Sequence, residues 1–505
     1  MPHRSAFDSE FDIFRSFPPK RESRVLALPL LGPRLRGDER SKENCTERGI
    51  HAVDLAPKPY QIRMTSRPPA LPAASSYRLT NAGVPVDLAP AVTAHTGPGR
   101  IARCTIVVDR GRIAALAPDG AAPATDLPVV DLDGGLVLPR FVDMHTHLDK
   151  GHIWARSPNP DGSFLGARTT VASDREARWN ADDVRARMEF ALRCAYAHGT
   201  GAIRTHLDSI GKQTAITWPV FVEVREAWKD RIALQAVSLY PVDFALDDEP
   251  QFRTMVETVA RHGGALGGLT FMGEPPGPKL EAALDRVFGA AVAHGLDLDF
   301  HVDESLAPEA RTLERIALAA LRHRFKGRIT AGHCCWLSVA DDDERIRVID
   351  RLGEAGVAVV SLPMCNMYLQ DRTASRTPRY RGVAPLHELD AAGVPALIAS
   401  DNTRDPFYAY GDLDMLEVFR EATRILHLDH SERPWLRLLG PAPAEIMRLD
   451  GAGTITEGGP ADFVLTRART LNELLSRPQS DRVVVIAGKA IDATPPDYRE
   501  LDRLG

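Results

Sequence analysis

Two histidines separated by one residue are the first sign of chemistry in this sequence. The string Phe141-Val142-Asp143-Met144-His145-Thr146-His147-Leu148-Asp149-Lys150 reads as a strand and its exit. Residues two apart on a strand face the same side, so His145 and His147 present two imidazoles together, a spacing that suits a metal ion. Three further strings carry groups of the same kind: His301-Val302-Asp303-Glu304, Thr330-Ala331-Gly332-His333 and Ser400-Asp401. Three neutral imidazoles and one carboxylate make an N/O donor set suited to Zn(II) or Fe(II), with one position left for water. A bound divalent cation lowers the pKa of its water from about 15.7 to about 7 and supplies hydroxide at neutral pH. Glu304 is then placed to accept that proton. Two bland readings stand beside these: Glu304 as a surface acid after a strand, and His333 as a further metal ligand.

Groups this far apart in sequence need a scaffold that gathers strand ends. From residue 139 to about 450 apolar strand candidates alternate with amphipathic helices, and the strands are expected to end near His145, Asp208, Pro241, Met272, Glu304, Cys335, Asn366 and Asn402. One helix opens at Asn180 and Asp183, carries Val184, Met188, Ala191, Leu192 and Ala195 on one face and closes at Gly199. Another places Leu280, Leu284, Val287, Phe288 and Ala291 on a stripe before Gly295. No Gly-rich dinucleotide fingerprint follows the first strand, so the α/β class is narrowed to a (β/α)8 TIM-like barrel over 139–450. Its catalytic face lies where the C-terminal ends of the strands converge, and every group named above sits at that edge. Short β-prone runs at Tyr77–Leu79, Ile101–Val108, Ile113–Leu116 and Val129–Leu132 return at Asp462–Leu465 and Arg482–Ile486. A small β-sandwich built from both chain ends, residues 75–138 and 451–505, is therefore expected.

The 505 residues are 44% hydrophobic and 26% charged, and 68 acidic residues outnumber 62 basic ones, which argues against a nucleic-acid-binding role. The longest early apolar run, Val25 to Leu31, is broken by Pro29 and falls short of the roughly 20 residues of a membrane span. The six cysteines, Cys45, Cys104, Cys194, Cys334, Cys335 and Cys365, show no C-x-x-C spacing. A reducing, cytoplasmic setting is the expectation. Residues 1–74, rich in Arg, Pro and Ser and without sustained period, are expected to be disordered or a non-native extension, with Met64 as a candidate start. Lys150 and His152 are read as loop residues with local contacts, His206 as a support for the ligands or a core histidine, and Cys334 and Cys335 as small buried hydrophobes.

The H-x-H on the first strand, histidines on the fifth and sixth and aspartate on the eighth resemble the amidohydrolase superfamily, and the finer pattern resembles its cytosine deaminase-like branch. The matching strings are Phe141 to Asp149, Arg204-Thr205-His206-Leu207-Asp208, His301 to Glu304, Thr330 to His333, Leu369-Gln370 with Arg372, Arg381-Gly382, and Asp401 with Asp405-Pro406. This resemblance implies one divalent metal per subunit, Zn or Fe, held by His145, His147, His301 and Asp401. The string Gly268-Leu269-Thr270-Phe271-Met272 lacks the bridging lysine of binuclear relatives. It also implies catalytic roles for Glu304, for His333 in holding the attacking oxygen, and for Asp401 as a second proton acceptor. Assembly into a homo-oligomer is expected by resemblance alone.

The expected reaction is hydrolytic deamination of a heterocyclic base, cytosine or a related pyrimidine, with ammonia released by attack of a metal-bound hydroxide. The partner is thus a small heterocycle rather than nucleic acid or membrane. The substrate contacts depart from the cytosine pattern: Val242 stands where those enzymes carry a glutamine that reads the ring amide, Asn402 replaces a carboxylate and Phe407 a tryptophan. Tyr240 or Gln370 is the candidate to compensate. The sequence around His145–Lys150 and Ser400–Asp405 is also similar to N-isopropylammelide amidohydrolase, so an N-substituted aminotriazine or a cyclic amide is the alternative substrate. A non-catalytic metal-binding protein is the third reading, against which the intact Glu304 argues.

Overall fold

The computed structural model describes residues 70–121, 126–271 and 273–504. The expectation for residues 1–74 falls almost wholly outside this range, as do Cys45, the Val25–Leu31 run and the strand end at Met272.

Eight strands run parallel in two groups. We label them β1 (Phe141–Thr146), β2 (Thr200–Asp208), β3 (Ala233–Leu239), β4 (Leu266–Leu269), β5 (Leu298–Val302), β6 (Ile329–His333), β7 (Val357–Ser361) and β8 (Ala396–Ile398). β1, β2 and β3 form a three-stranded sheet, and β4 to β8 form a five-stranded one in chain order. Parallel bridges pair Val237 with Ala265 and Pro241 with Leu269 between β3 and β4, and Thr146 with Asp401 between β1 and the chain just beyond β8. β1, β5, β6 and β7 are buried at every position, the pattern of parallel strands covered on both faces. Helices between the strands do the covering. Ala181–Ala197 starts where the Asn180 side chain accepts from the backbone N–H groups of Asp182 and Asp183, and it buries Val184, Met188, Ala191, Leu192 and Ala195. Pro278–His294 buries the expected stripe and stops at Gly295, whose φ of 64° suits glycine.

The strands β3 to β8 all stop a few residues before the ends read from the sequence, β3 at Leu239, β4 at Leu269 and β5 at Val302 among them. β7 stops at Ser361, well before Asn366, because Pro363 starts a helix, Pro363–Leu369, at the strand exit. β8 stops at Ile398, and β6 at His333, after which Cys335–Ser338 is a short 3-10 turn.

A four-stranded sheet near the N-terminus is built from Ser76–Pro85, Ile101–Asp109, Arg112–Pro118 and Val129–Asp131. In a second sheet Val137–Pro139 pairs antiparallel with Phe463–Leu465, which pairs with Val483–Ile486. One apolar cluster joins the two, with Tyr77, Leu79, Ile106 and Val108 beside Ile455, Phe463, Leu465 and Val485. Among the described residues no helix is long and apolar enough to cross a membrane.

Candidate active site

Each chemical group sits at or just past the C-terminal end of a parallel strand: His145 and His147 at β1, His206 in β2, His301 in β5, His333 in β6, and Asp401 beyond β8. The side chains meet. His147 Nε2 lies 3.2 Å from His301 Nε2 and 3.2 Å from Asp401 Oδ1, and His145 Nε2 lies 3.5 Å from the same oxygen. An ion bound tetrahedrally at about 2.0–2.1 Å sets its ligands about 3.3 Å apart, close to these three separations; ligand atoms of His145, His206 and His301, of His145, His333 and Asp401, and of Glu304, Cys365 and Asp401 also lie within 4.8 Å of one another. His206 lies against this group, its ring centroid 4.0 Å from that of His145 and 4.6 Å from that of His301.

The backbone turns sharply to make this cluster. Asp303, His333, Cys334 and Asp401 all have φ between 48° and 70°, a left-handed conformation that side chains other than glycine rarely adopt. Such strain, of order 1 kcal/mol or more per residue, persists only where neighbours over-determine it. They do so here. Asp303 Oδ1 accepts from the Thr312 backbone N–H at 3.0 Å and Oδ2 from the Leu313 N–H at 3.0 Å, while the Asp401 N–H donates to the His145 carbonyl at 2.8 Å. Asp143, below His145 on β1, accepts from the Ser400 N–H at 3.2 Å and from its hydroxyl, tying β1 to the strand that carries Asp401. Gly332 leaves the space the His145 ring needs, since a Cβ there would sit 2.8 Å from its Cε1.

Electrostatics follow from burial. Burial holds His145, His147, His206 and His301 well below the usual histidine range; neighbouring imidazoles add to it for His145 and His301, the Lys150 ammonium for His147, and the Arg204 guanidinium for His206. His333 is pulled down to about 3 by burial and by Lys150. These rings are neutral, as ligands must be. Burial, and then the Asp401 carboxylate, push Glu304 well above the usual carboxylate range. Lys150 is buried, with Nζ 3.7 Å from Asp208 Oδ1 and 5.1 Å from the Phe407 ring centre. Burial alone would lower its pKa; Asp208, Asp405, Asp149 and Asp401 outweigh it.

A chain from Rhizobium rhizogenes named pterin deaminase is 56% identical over 433 residues, covering 85% of this chain and 97% of that one. The chain belongs to the amidohydrolase family. The sequence pattern described as the amidohydrolase family matches residues 241–491. N-isopropylammelide isopropyl amidohydrolase of Pseudomonas sp. is 25% identical over 352 residues, 66% of this chain and 81% of that one. Among solved structures, 5-methylcytosine deaminase from Klebsiella pneumoniae superposes with a TM-score of 0.68 at 25% identity, covering 82% of this chain and 97% of that one.

Amidohydrolases use a divalent metal, and the donor set fits one. His145 Nε2 and both oxygens of Asp401, atoms that face the point where these side chains meet, are buried without a hydrogen-bond partner among the described residues. Unpaired buried polar atoms are costly, and their concentration at one point is the signature of a missing common partner. A cation there would also reverse the upward carboxylate shifts.

The expected substrate contacts divide. Gln370 Nε2 donates to the Glu304 carbonyl oxygen at 3.1 Å, and Phe407, partly buried, meets Phe164 edge-on as well as Lys150. Asn402 Nδ2 is engaged with Asp405 Oδ2 at 2.6 Å. Val242 packs in the apolar cluster of the parallel strands, against Gly268, so its side chain is a core group as much as a candidate wall of the site. Tyr240 is buried in the same cluster with its hydroxyl unpartnered among the described residues.

Lys150 lies in the turn after β1 with local contacts, as read from the sequence, and is in addition buried; Asp143, Asp303 and Asn366 were given no role. Asn366 Nδ2 lies 2.9 Å from His333 Nδ1. Its distance of four residues from Gln370 is the helical spacing that could have revealed it.

Proposed function

We propose that this amidohydrolase is a mononuclear, metal-dependent hydrolytic deaminase whose substrate is a pterin, a fused 2-amino-4-oxo pyrimidine. Three things support the substrate: the 56% identity to a chain named pterin deaminase, the absence of the cytosine-reading glutamine at Val242, and the apolar Phe407. The expectation of cytosine gives way to this wider ring. The reading includes closure of β1 to β8 into a (β/α)8 barrel, which the bridges between the two sheets support, and a sandwich domain of residues 75–138 and 451–505 flanking the barrel of 139–450.

The convergence of His147, His301, Asp401 and His145 at 3.2–3.5 Å carries the proposal. His145, His147, His301 and Asp401 would hold one Zn(II) or Fe(II). When bound, such an ion supplies hydroxide near neutral pH and polarises the reacting carbon. Glu304, partly buried and raised in pKa, would take a proton from water on its carboxylate Oε and pass it to a ring nitrogen. His333 faces the attacking oxygen, and Asp401 takes a second proton. One C–O bond forms, the C–N bond to the exocyclic amine breaks, and ammonia leaves with that proton. Lys150 maintains a positive field beside these carboxylates.

The test is ammonia release by metal-loaded protein offered pterin, cytosine, 5-methylcytosine, creatinine and N-isopropylammelide. Pterin is expected to give the highest kcat/KM. Release of an alkylamine, ring opening without ammonia, or turnover of cytosine alone would overturn the assignment.

A further inference from the structure

One short helix grips both proton-handling groups. Pro363–Leu369 leaves β7 directly; Asn366 lies on it, and Gln370 is the extended residue that follows its last turn. Gln370 Nε2 donates to the Glu304 carbonyl, and Asn366 Nδ2 meets His333 Nδ1 at 2.9 Å. Asn366 is completely buried, and its backbone is fixed at both ends: its N–H donates to the Leu362 carbonyl and its carbonyl accepts from the Gln370 N–H.

An amide nitrogen only donates, so the ring nitrogen facing it must accept. A neutral imidazole carries one proton, which then resides on Nε2. The competing partner for Nδ1, Glu304 Oε1, is 3.5 Å away, well beyond the amide contact. Turning the amide over would bury its two N–H donors where only its carbonyl oxygen now lies, a place with no partner among the described residues. Orphaned buried N–H groups are rarer than under-satisfied carbonyls, so the orientation with the nitrogen toward His333 is the better one. His333 Nε2 is itself buried without a partner among the described residues, and the ring brings a nitrogen within 4.8 Å of the ligand atoms of His145 and Asp401.

We propose that Asn366 is a positioning residue that locks His333 in the Nε2–H tautomer, so that His333 enters the reaction as a hydrogen-bond donor to the attacking oxygen. With Nδ1 occupied by the amide and Nε2 protonated, His333 has no lone pair free to ligate a metal or act as a base. This rests on the hydrolytic reading above, but its geometry is tested separately.

The protein is labelled with 15N-histidine, and the His333 imidazole signals are identified by their loss in His333→Gln. Wild-type protein is expected to show a protonated Nε2 and an unprotonated Nδ1. In Asn366→Asp the carboxylate only accepts, so the neutral ring is expected as the Nδ1–H form. There kcat falls about 10²–10³-fold, the cost of losing one donor to a developing oxyanion. KM stays within about threefold, as for an interaction made only in the transition state. A merely structural defect would lower kcat without moving the ring proton from Nε2 to Nδ1. A wild-type Nδ1–H signal, or wild-type kcat in Asn366→Asp, overturns the inference, and the wild-type spectrum decides it even if the variant fails to fold. If wild-type protein releases no ammonia from any heterocyclic amine, the activity reading fails while the tautomer measurement still stands.

Discussion

Replacing Asp303 by alanine separates what holds the site from what works in it. Asp303 Oδ1 accepts from the Thr312 N–H and hydroxyl, and Oδ2 from the Thr312 and Leu313 N–H groups. These bonds cap the helix Leu313–Arg322, whose own N-cap Thr312 supplies no side-chain cap. They also hold Asp303 at φ 48°, the turn that aims Glu304. Hydrogen bonds to a charged group contribute about 1.5–3 kcal/mol each and a cap about 1 kcal/mol. The net is smaller than their sum, because burial pushes the Asp303 carboxyl above its ordinary pKa despite them. A loss of about 2–4 kcal/mol results. At about 2.1 cal/mol/K per residue, over the roughly 430 described residues, that lowers the melting temperature by about 2–5 °C. A displacement of about 1 Å at Glu304 lowers kcat about 10²-fold. Asp303→Asn keeps one acceptor oxygen and should fall between. Calorimetry with ammonia-release kinetics on the same preparations makes the comparison, and an unchanged melting temperature with normal kcat in Asp303→Ala would refute the reasoning.

Glu304→Gln should behave in the opposite sense: it removes a buried carboxyl whose Oε1 has no partner among the described residues, so melting is unchanged or higher while kcat falls about 10²–10⁴-fold. Gly332→Ala forces the His145 ring away from a Cβ that would lie 2.8 Å from it, and metal affinity measured by chelator competition should drop at least about tenfold. His198, 2.7 Å from Asp412 and 3.8 Å from Asp414, has its pKa raised by both carboxylates against the pull of burial. Its stabilisation is complete below the unfolded histidine pKa of about 6.5 and fades as pH rises through the higher folded value. Melting temperatures taken across that window should therefore decline more in wild type than in His198→Asn, and parallel curves would remove this pair from the stability balance.

The alternation of apolar runs and helical stripes was legible because parallel strands buried on both faces leave few polar positions, and those few are the histidines and acids at the strand ends. What escaped notice lies where the two-residue period fails. Alternation would place Asp303 beside His301, but the positive φ at Asp303 turns its carboxylate onto Thr312 and Leu313. The apolar stretch Val357–Leu362 reads as running on to Asn366, and only the proline at 363 marks the helix that faces Asn366 toward His333. Lys150 reads correctly as a loop residue with local contacts, but its burial does not show in the sequence; it stays charged there beside four carboxylates, Asp149, Asp208, Asp401 and Asp405, brought together from three separate strand exits. Substrate contacts are the least legible of all. Val242 and Asn402 mark where a cytosine-reading pattern is broken, and what replaces it depends on packing that no spacing encodes.

The most direct measurement is an anomalous-scattering difference map from crystals of the purified protein, with metal content determined by elemental analysis on the same sample. One divalent transition-metal ion per chain, bonded to His145, His147, His301 and Asp401 and beside Glu304, is the expected result. A metal-free active enzyme, or an ion bound by a set that omits these four residues, would contradict it.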